Sequence, residues 1–140
     1  MNIAVRYYSK TGNTEKLANA IAEAAGTTAE TLGSPLPETT DLLFLGSAVY
    51  AAGVDEQVVQ FIAGLTPARV KKVVCFSTAA LLPSTYNQVK KLLAAQQIPC
   101  SEQEFHCRGR FSLLHKSRPN DADLAAAAQF AKDAICQNSL

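Results

Sequence analysis

Ser9, Lys10, Thr11, Gly12, Asn13 and Thr14 form the densest run of anion-binding groups in the chain. Hydroxyls, an amide side chain and a glycine fall between an apolar segment, residues 3–8, and a helical pattern that begins near Glu15. The first N–H groups of a helix have no partners inside it, and the helix dipole favours negative charge at that end. Glycine lets the backbone approach a ligand with no Cβ in the way. Residues 9–14 therefore read as a phosphate-binding turn, with Lys10 contributing at least through its backbone N–H. Hydrogen bonds to a charged group contribute about 1.5–3 kcal/mol each, so about four or five convergent donors hold a phosphate monoester without an arginine.

The elements that must position this turn alternate between strand and helix. Residues 3–8 read as a strand and 14–25 as a helix, with Leu17, Ala18, Ile21, Ala22 and Ala25 on one face and Gly26 closing it. A weak strand covers 28–32, and the turn-rich segment 33–40 leaves little room for a helix. The next strand, 41–46, is continuously apolar from Leu42 to Leu45, as in a parallel sheet covered on both faces. Further along, 55–63 and 84–97 read as helices and 72–77 as a buried strand. Residues 102–107 alternate as an edge strand, and 122–136 form a last helix capped by Asn120 or Asp121. The prediction is an α/β fold, a doubly wound five-stranded parallel sheet of order 2-1-3-4-5 with helices on both faces. Ligands of such sheets bind at the carboxyl ends of the strands, where the order reverses. The segments 9–14, 47–53 and 77–82 converge there, and the fifth strand delivers 109–119 to the same end.

A chain of 140 residues predicts a single domain, 1–140, and hydrophobic content of 48% with 18% charged residues suits a folded core. No apolar run approaches the roughly 18 residues of a membrane span, and the N-terminus lacks a signal-peptide pattern, so a cytoplasmic protein is expected. A formal net charge of +1 gives no global field that would draw the chain to nucleic acid. Cys75, Cys100, Cys107 and Cys136 are widely spaced and read as reduced thiols without zinc spacing, Cys75 and Cys107 as small buried hydrophobes. His106 and His115 read as lone histidines with no acid partner in sequence. Neither Gly-x-x-x-x-Gly-Lys-Ser/Thr nor Gly-x-Gly-x-x-Gly occurs, which speaks against a nucleoside triphosphatase or a dinucleotide fold. A response-regulator receiver needs an aspartate ending the third strand, where Gly46 and Ser47 stand.

Ser9-x-Thr11-Gly12-Asn13-Thr14 after the first strand resembles the FMN phosphate loop of the flavodoxin family, and the later segments resemble small bacterial flavodoxin-like proteins. That resemblance implies one noncovalent FMN, its phosphate on residues 9–14. It further implies that Ala48, Val49, Tyr50 and Ala51 line the flavin ring, with Tyr50 at the stacking position, and that Ser77, Thr78 and Ala79 meet the opposite edge. The chain departs from the family pattern in the third loop, which has no acid or second tyrosine, and at Ala51, where a glycine commonly follows the aromatic. The implied function is electron transfer. Two alternatives are an FMN-dependent reductase acting directly on a small acceptor such as a quinone or tetrapyrrole, and a flavin-free interaction module. Arg108, Arg110, His115, Lys116 and Arg118 lie in one stretch without an intervening acid, which predicts an anionic redox partner protein or small acceptor at the cofactor end.

Overall fold

Strand β1 (Ile3–Tyr7) belongs to a five-stranded sheet, where it lies between β2 (Ala29–Thr31) and the central strand β3 (Leu42–Val49). The computed structural model describes residues 1–9, 12–49, 54–79, 85–108 and 119–138. Beyond β3 come β4 (Val73–Ala79) and β5 (Cys100–Arg108), every pair is parallel, and the order is β2-β1-β3-β4-β5. The helices α1 (Asn13–Ala25), α2 (Glu56–Ala63), α3 (Tyr86–Ala95) and α4 (Asp121–Asn138) cover both faces. The predicted architecture and strand order are therefore observed.

Strand alternation divides the core. Val5, Phe44, Val74 and Phe76 face α1 and α4, where Leu17, Ile21, Ala127 and Ala131 are fully buried. Leu43, Leu45, Val73 and Cys75 face the other way, against Val58 and Ile62 of α2 and Val89 and Leu93 of α3. Caps fix the helix ends. The Gly26 N–H, at φ 75°, turns back to carbonyls of Ala22 and Glu23, and Asp55 Oδ1 accepts from Gln57 N. Asn120 and Asp123 exchange backbone and side-chain bonds of 2.9 Å in both directions, a capping box that settles the predicted cap of α4 on Asn120.

Arg6 is the unexpected core residue. Only 3% exposed, its guanidinium donates to carbonyls of Val5, Ser34 and Pro35 and lies 3.4 Å from Glu30. Burial pushes its pKa down, while Glu30 opposes that shift. These bonds fasten the connection after β2 across the sheet edge.

A second clasp holds the amino ends of β1 and β3. Asn2 N donates to Asp41 Oδ2 at 2.7 Å, Asp41 N donates to Asn2 O at 2.8 Å, and Lys71 Nζ lies 3.5 Å from Asp41 Oδ1. The bond from the Asn2 backbone, helped by Lys71, holds the Asp41 carboxyl below its ordinary value of 3.8. A depressed carboxylate stabilises the fold above that ordinary value, and the contribution disappears as pH falls through the lower folded-state value. Asp41→Asn is therefore expected to lower the thermal midpoint near neutral pH, with the gap to wild type closing as pH falls through the lowered folded-state value of the carboxyl. A gap that stays constant down to the lowest pH would contradict this assignment.

Candidate functional site

The turn between β1 and α1 reaches the carboxyl ends of the strands where β1 and β3 neighbour each other. Gly12 occupies the N-cap of α1 with φ 89° and ψ −3°, a left-handed conformation that L side chains rarely adopt. A Cβ there would meet nothing within 4 Å, so backbone conformation, and not crowding by the protein, demands glycine. Its N–H donates to Ser9 Oγ at 2.9 Å. Its carbonyl accepts the first α-helical bond, from Lys16 N at 3.1 Å. The N–H groups of Asn13, Thr14 and Glu15 accordingly lie ahead of the intrahelical ladder.

Behind the turn sits a set of buried hydroxyls. Thr14 has no exposed surface; its Oγ1 donates to Ser47 O at 3.3 Å and lies 2.9 Å from Thr78 Oγ1. Ser47 Oγ is 2.6 Å from Thr85 Oγ1 on the opposite sheet face. The Ser77 hydroxyl, on a side chain 2% exposed, has no partner among the described residues. These pairs knit α1, β3, β4 and the start of α3 into one end of the sheet. Gln88 Oε1 accepts from Val54 N at 2.9 Å and so ties the chain entering α2 to α3. Tyr7 closes the other side: burial, then the charge of the Glu15 carboxylate and a hydrogen bond to it, push its phenol pKa up. A cleft beside the turn is lined by Tyr7, Ser9, Glu15, Gly33 and Gln57. Another cleft runs between α1 and α4, along Ala20, Ala24, Leu124 and Ala128.

A family model described as a flavodoxin domain matches residues 4–114. The chain belongs to the flavodoxin domain family. Its fold is similar to that of a flavodoxin from the domain Archaea, at 14% identity and a TM-score of 0.80, with both chains covered completely. Oxidised Flavodoxin 2 from Bacillus cereus is similar at 14% identity and a TM-score of 0.70 over 98% of this chain and 99% of that one. The flavodiiron core of Flv1 from Synechocystis sp. PCC6803 is similar at 15% identity and a TM-score of 0.75; the match covers 99% of this chain but 36% of that one. No curated protein matches the sequence significantly.

Within this family frame, Ser9, Gly12, Asn13 and Thr14 stand together at the head of α1. Lys10, Thr11, Tyr50, Ala51, Arg110, His115, Lys116 and Arg118 lie outside the described residues. Two expectations are corrected. Residues 47–49 and 78–79 were expected beyond the strands, but β3 runs to Val49 and β4 to Ala79, in the register Ser47↔Ser77, Ala48↔Thr78, Val49↔Ala79. Small hydroxylic residues resemble a loop in sequence, yet here their hydroxyls lie buried within the sheet end. The structure also corrects the reading of His106, which is not alone. Its Nδ1 lies 2.8 Å from Glu104 Oε1, because the two-residue strand period puts positions 104 and 106 on one face.

Thr85 and Gln88 were missed altogether. A threonine just before a helical pattern suggests a cap, but Thr85 makes no side-chain cap bond and turns its hydroxyl to Ser47. Tyr86, in the first turn of α3, donates to Ser101 O at 2.9 Å and braces β5. Among the described residues no helix is long and apolar enough to cross a membrane, and no group of three or more His, Cys, Asp or Glu could hold a metal ion.

Proposed function

We propose that the chain binds one FMN noncovalently and serves as an electron-transfer protein. The observation that carries this reading is the head of α1, where left-handed Gly12 and Ser9 frame three N–H groups lying ahead of the helical ladder. That donor set suits a phosphate dianion. Ser9 Oγ accepts from Gly12 N and keeps its own proton to donate to a ligand oxygen. Thr14 is different: its buried hydroxyl faces Ser47 O and Thr78, so what it offers a phosphate is its backbone N–H. Asn13 and Thr11 complete the cradle, with Lys10 adding a backbone N–H. Ala48 and Val49 at the end of β3, Tyr50 and Ala51 next in sequence, and Ser77, Thr78 and Ala79 on β4, would flank the ring system. The unpartnered Ser77 hydroxyl fits a cofactor with a polar edge at this end of the sheet. FMN supplies the redox chemistry when bound, and the protein supplies position and electrostatics.

Comparison of FMN with riboflavin, which lacks the phosphate, tests the reading. The wild-type chain should bind FMN more tightly than riboflavin. Ser9→Ala should weaken FMN by about tenfold, the equivalent of one charge-assisted bond, and riboflavin far less. Equal losses for both ligands, or no preference for FMN in the wild type, would remove the phosphate assignment.

A further inference from the structure

Cys75 and Cys100 come together on neighbouring strands, although 25 residues separate them in sequence. The ladder between β4 and β5 is irregular at this point, running from Val73↔Cys100 to Cys75↔Glu104, so β5 advances four residues while β4 advances two. The two sulfurs lie 3.7 Å apart. That is hydrogen-bonding distance for a thiol pair, and none of the four cysteines is in a disulfide. We propose that Cys75 and Cys100 form a reversible dithiol–disulfide couple, oxidised by a small-molecule disulfide.

The two thiols differ in the way such a couple requires. Cys75 is buried in the core against α2 and α3, whereas Cys100 is only partly buried and within reach of solvent. The hydrogen bond from Cys75 favours the Cys100 thiolate, as do the charges of Lys90 and Lys72, while burial opposes it. Lys90 Nζ is also 5.5 Å from the centre of the ring of Tyr86, whose hydroxyl donates to the carbonyl of Ser101, the residue after Cys100. The same hydrogen bond, then burial, pushes the Cys75 thiol well up, so it holds its proton and acts second.

The exchange balances in two steps. The Cys100 thiolate attacks one sulfur of the oxidant RSSR, forming Cys100–S–SR and releasing RS⁻. Cys75 then gives up its proton to that thiolate, and its sulfur attacks the Cys100 sulfur, forming the Cys75–Cys100 bond and expelling the second RS⁻. The dithiol loses two electrons and RSSR gains them. The resulting bridge would fasten edge strand β5 to β4 beneath α3, in the half of the sheet away from the head of α1.

The test uses the full chain as purified, incubated with oxidised glutathione, trapped by alkylation and mapped by peptide mass spectrometry with fragmentation. The expected product is a Cys75–Cys100 cross-link with the loss of two hydrogen atoms, reversed by dithiothreitol, with a glutathione adduct on Cys100 appearing only transiently. In Cys75→Ala the adduct should instead persist on Cys100, and in Cys100→Ala Cys75 should stay unmodified. The wild-type experiment stands without either variant. A persistent Cys100 adduct in the wild type, or recovery of both Cys75 and Cys100 as alkylated thiols, would overturn the proposal.

Discussion

Gly46→Val is expected to lower the free energy of unfolding by about 3 kcal/mol, with Gly46→Ala losing about 1–2 kcal/mol. Gly46 sits on β3 directly between Tyr7 of β1 and Phe76 of β4 in the sheet register. Both aromatic side chains belong to the core under α1 and α4, and Phe76 has no exposed surface. A Cβ at position 46 would fall well inside contact distance of Phe76 Cε2 and Cζ, and 3.1 Å from Cε1. The ring tip cannot simply swing away. It is packed in a core where native density leaves few voids, so accommodation would disturb neighbours such as Phe44 and Leu17. The same crowding shows why a receiver-type aspartate has no place here. Urea unfolding of Gly46→Val, alone and combined with Phe76→Leu, measures the effect: the second change should recover part of the loss, giving a non-additive pair. An unchanged midpoint for Gly46→Val would show that the ring does have somewhere to go.

This row of side chains also explains which parts of the fold were legible in the sequence. Leu42 to Leu45 and Val73 to Phe76 are apolar without a break, and such runs announce buried parallel strands before any contact is known. The order 2-1-3-4-5 follows from alternating strands and helices with right-handed crossovers. Strand lengths were harder to read. β3 and β4 continue through Ser47 and through Ser77 and Thr78, whose burial depends on partners far away in sequence: Thr85 for Ser47, Thr14 for Thr78. Period and composition carry no trace of such pairings. The proximity of Cys75 to Cys100 was hidden for a related reason, since it depends on an irregular register between β4 and β5. Arg6 was hidden too, because its carbonyl partners lie on the connection that follows β2. By contrast the start of α1 was legible, because its signals are local: hydroxyls, a glycine and the helical pattern are consecutive residues.

Gly12 is the position where that local chemistry should respond most sharply. At φ 89°, a side chain costs about 1–2 kcal/mol in backbone conformation, more for a β-branched residue, and asparagine tolerates the region best. Since open space surrounds the would-be Cβ, the substituted chain has two routes: accept the strain, or rotate the backbone toward negative φ. The second route would break the Gly12 N to Ser9 Oγ bond and tilt the first N–H groups of α1 away from a common focus. A chain that relaxes along the second route must return to the strained conformation to present those groups, which weakens a ligand held by them. FMN affinity is therefore expected to fall in the order Gly, Asn, Ala, Val, with Gly12→Val losing about tenfold or more, since about 1.4 kcal/mol corresponds to a factor of ten. Riboflavin affinity should follow the same order with a much smaller spread, because it lacks the phosphate proposed for the turn. Fluorescence titration of each variant with both ligands, alongside thermal midpoints, separates loss of the cradle from loss of the fold. If Gly12→Val binds FMN as tightly as the wild type while remaining folded, the head of α1 does not hold the phosphate, and the cofactor assignment loses its strongest support.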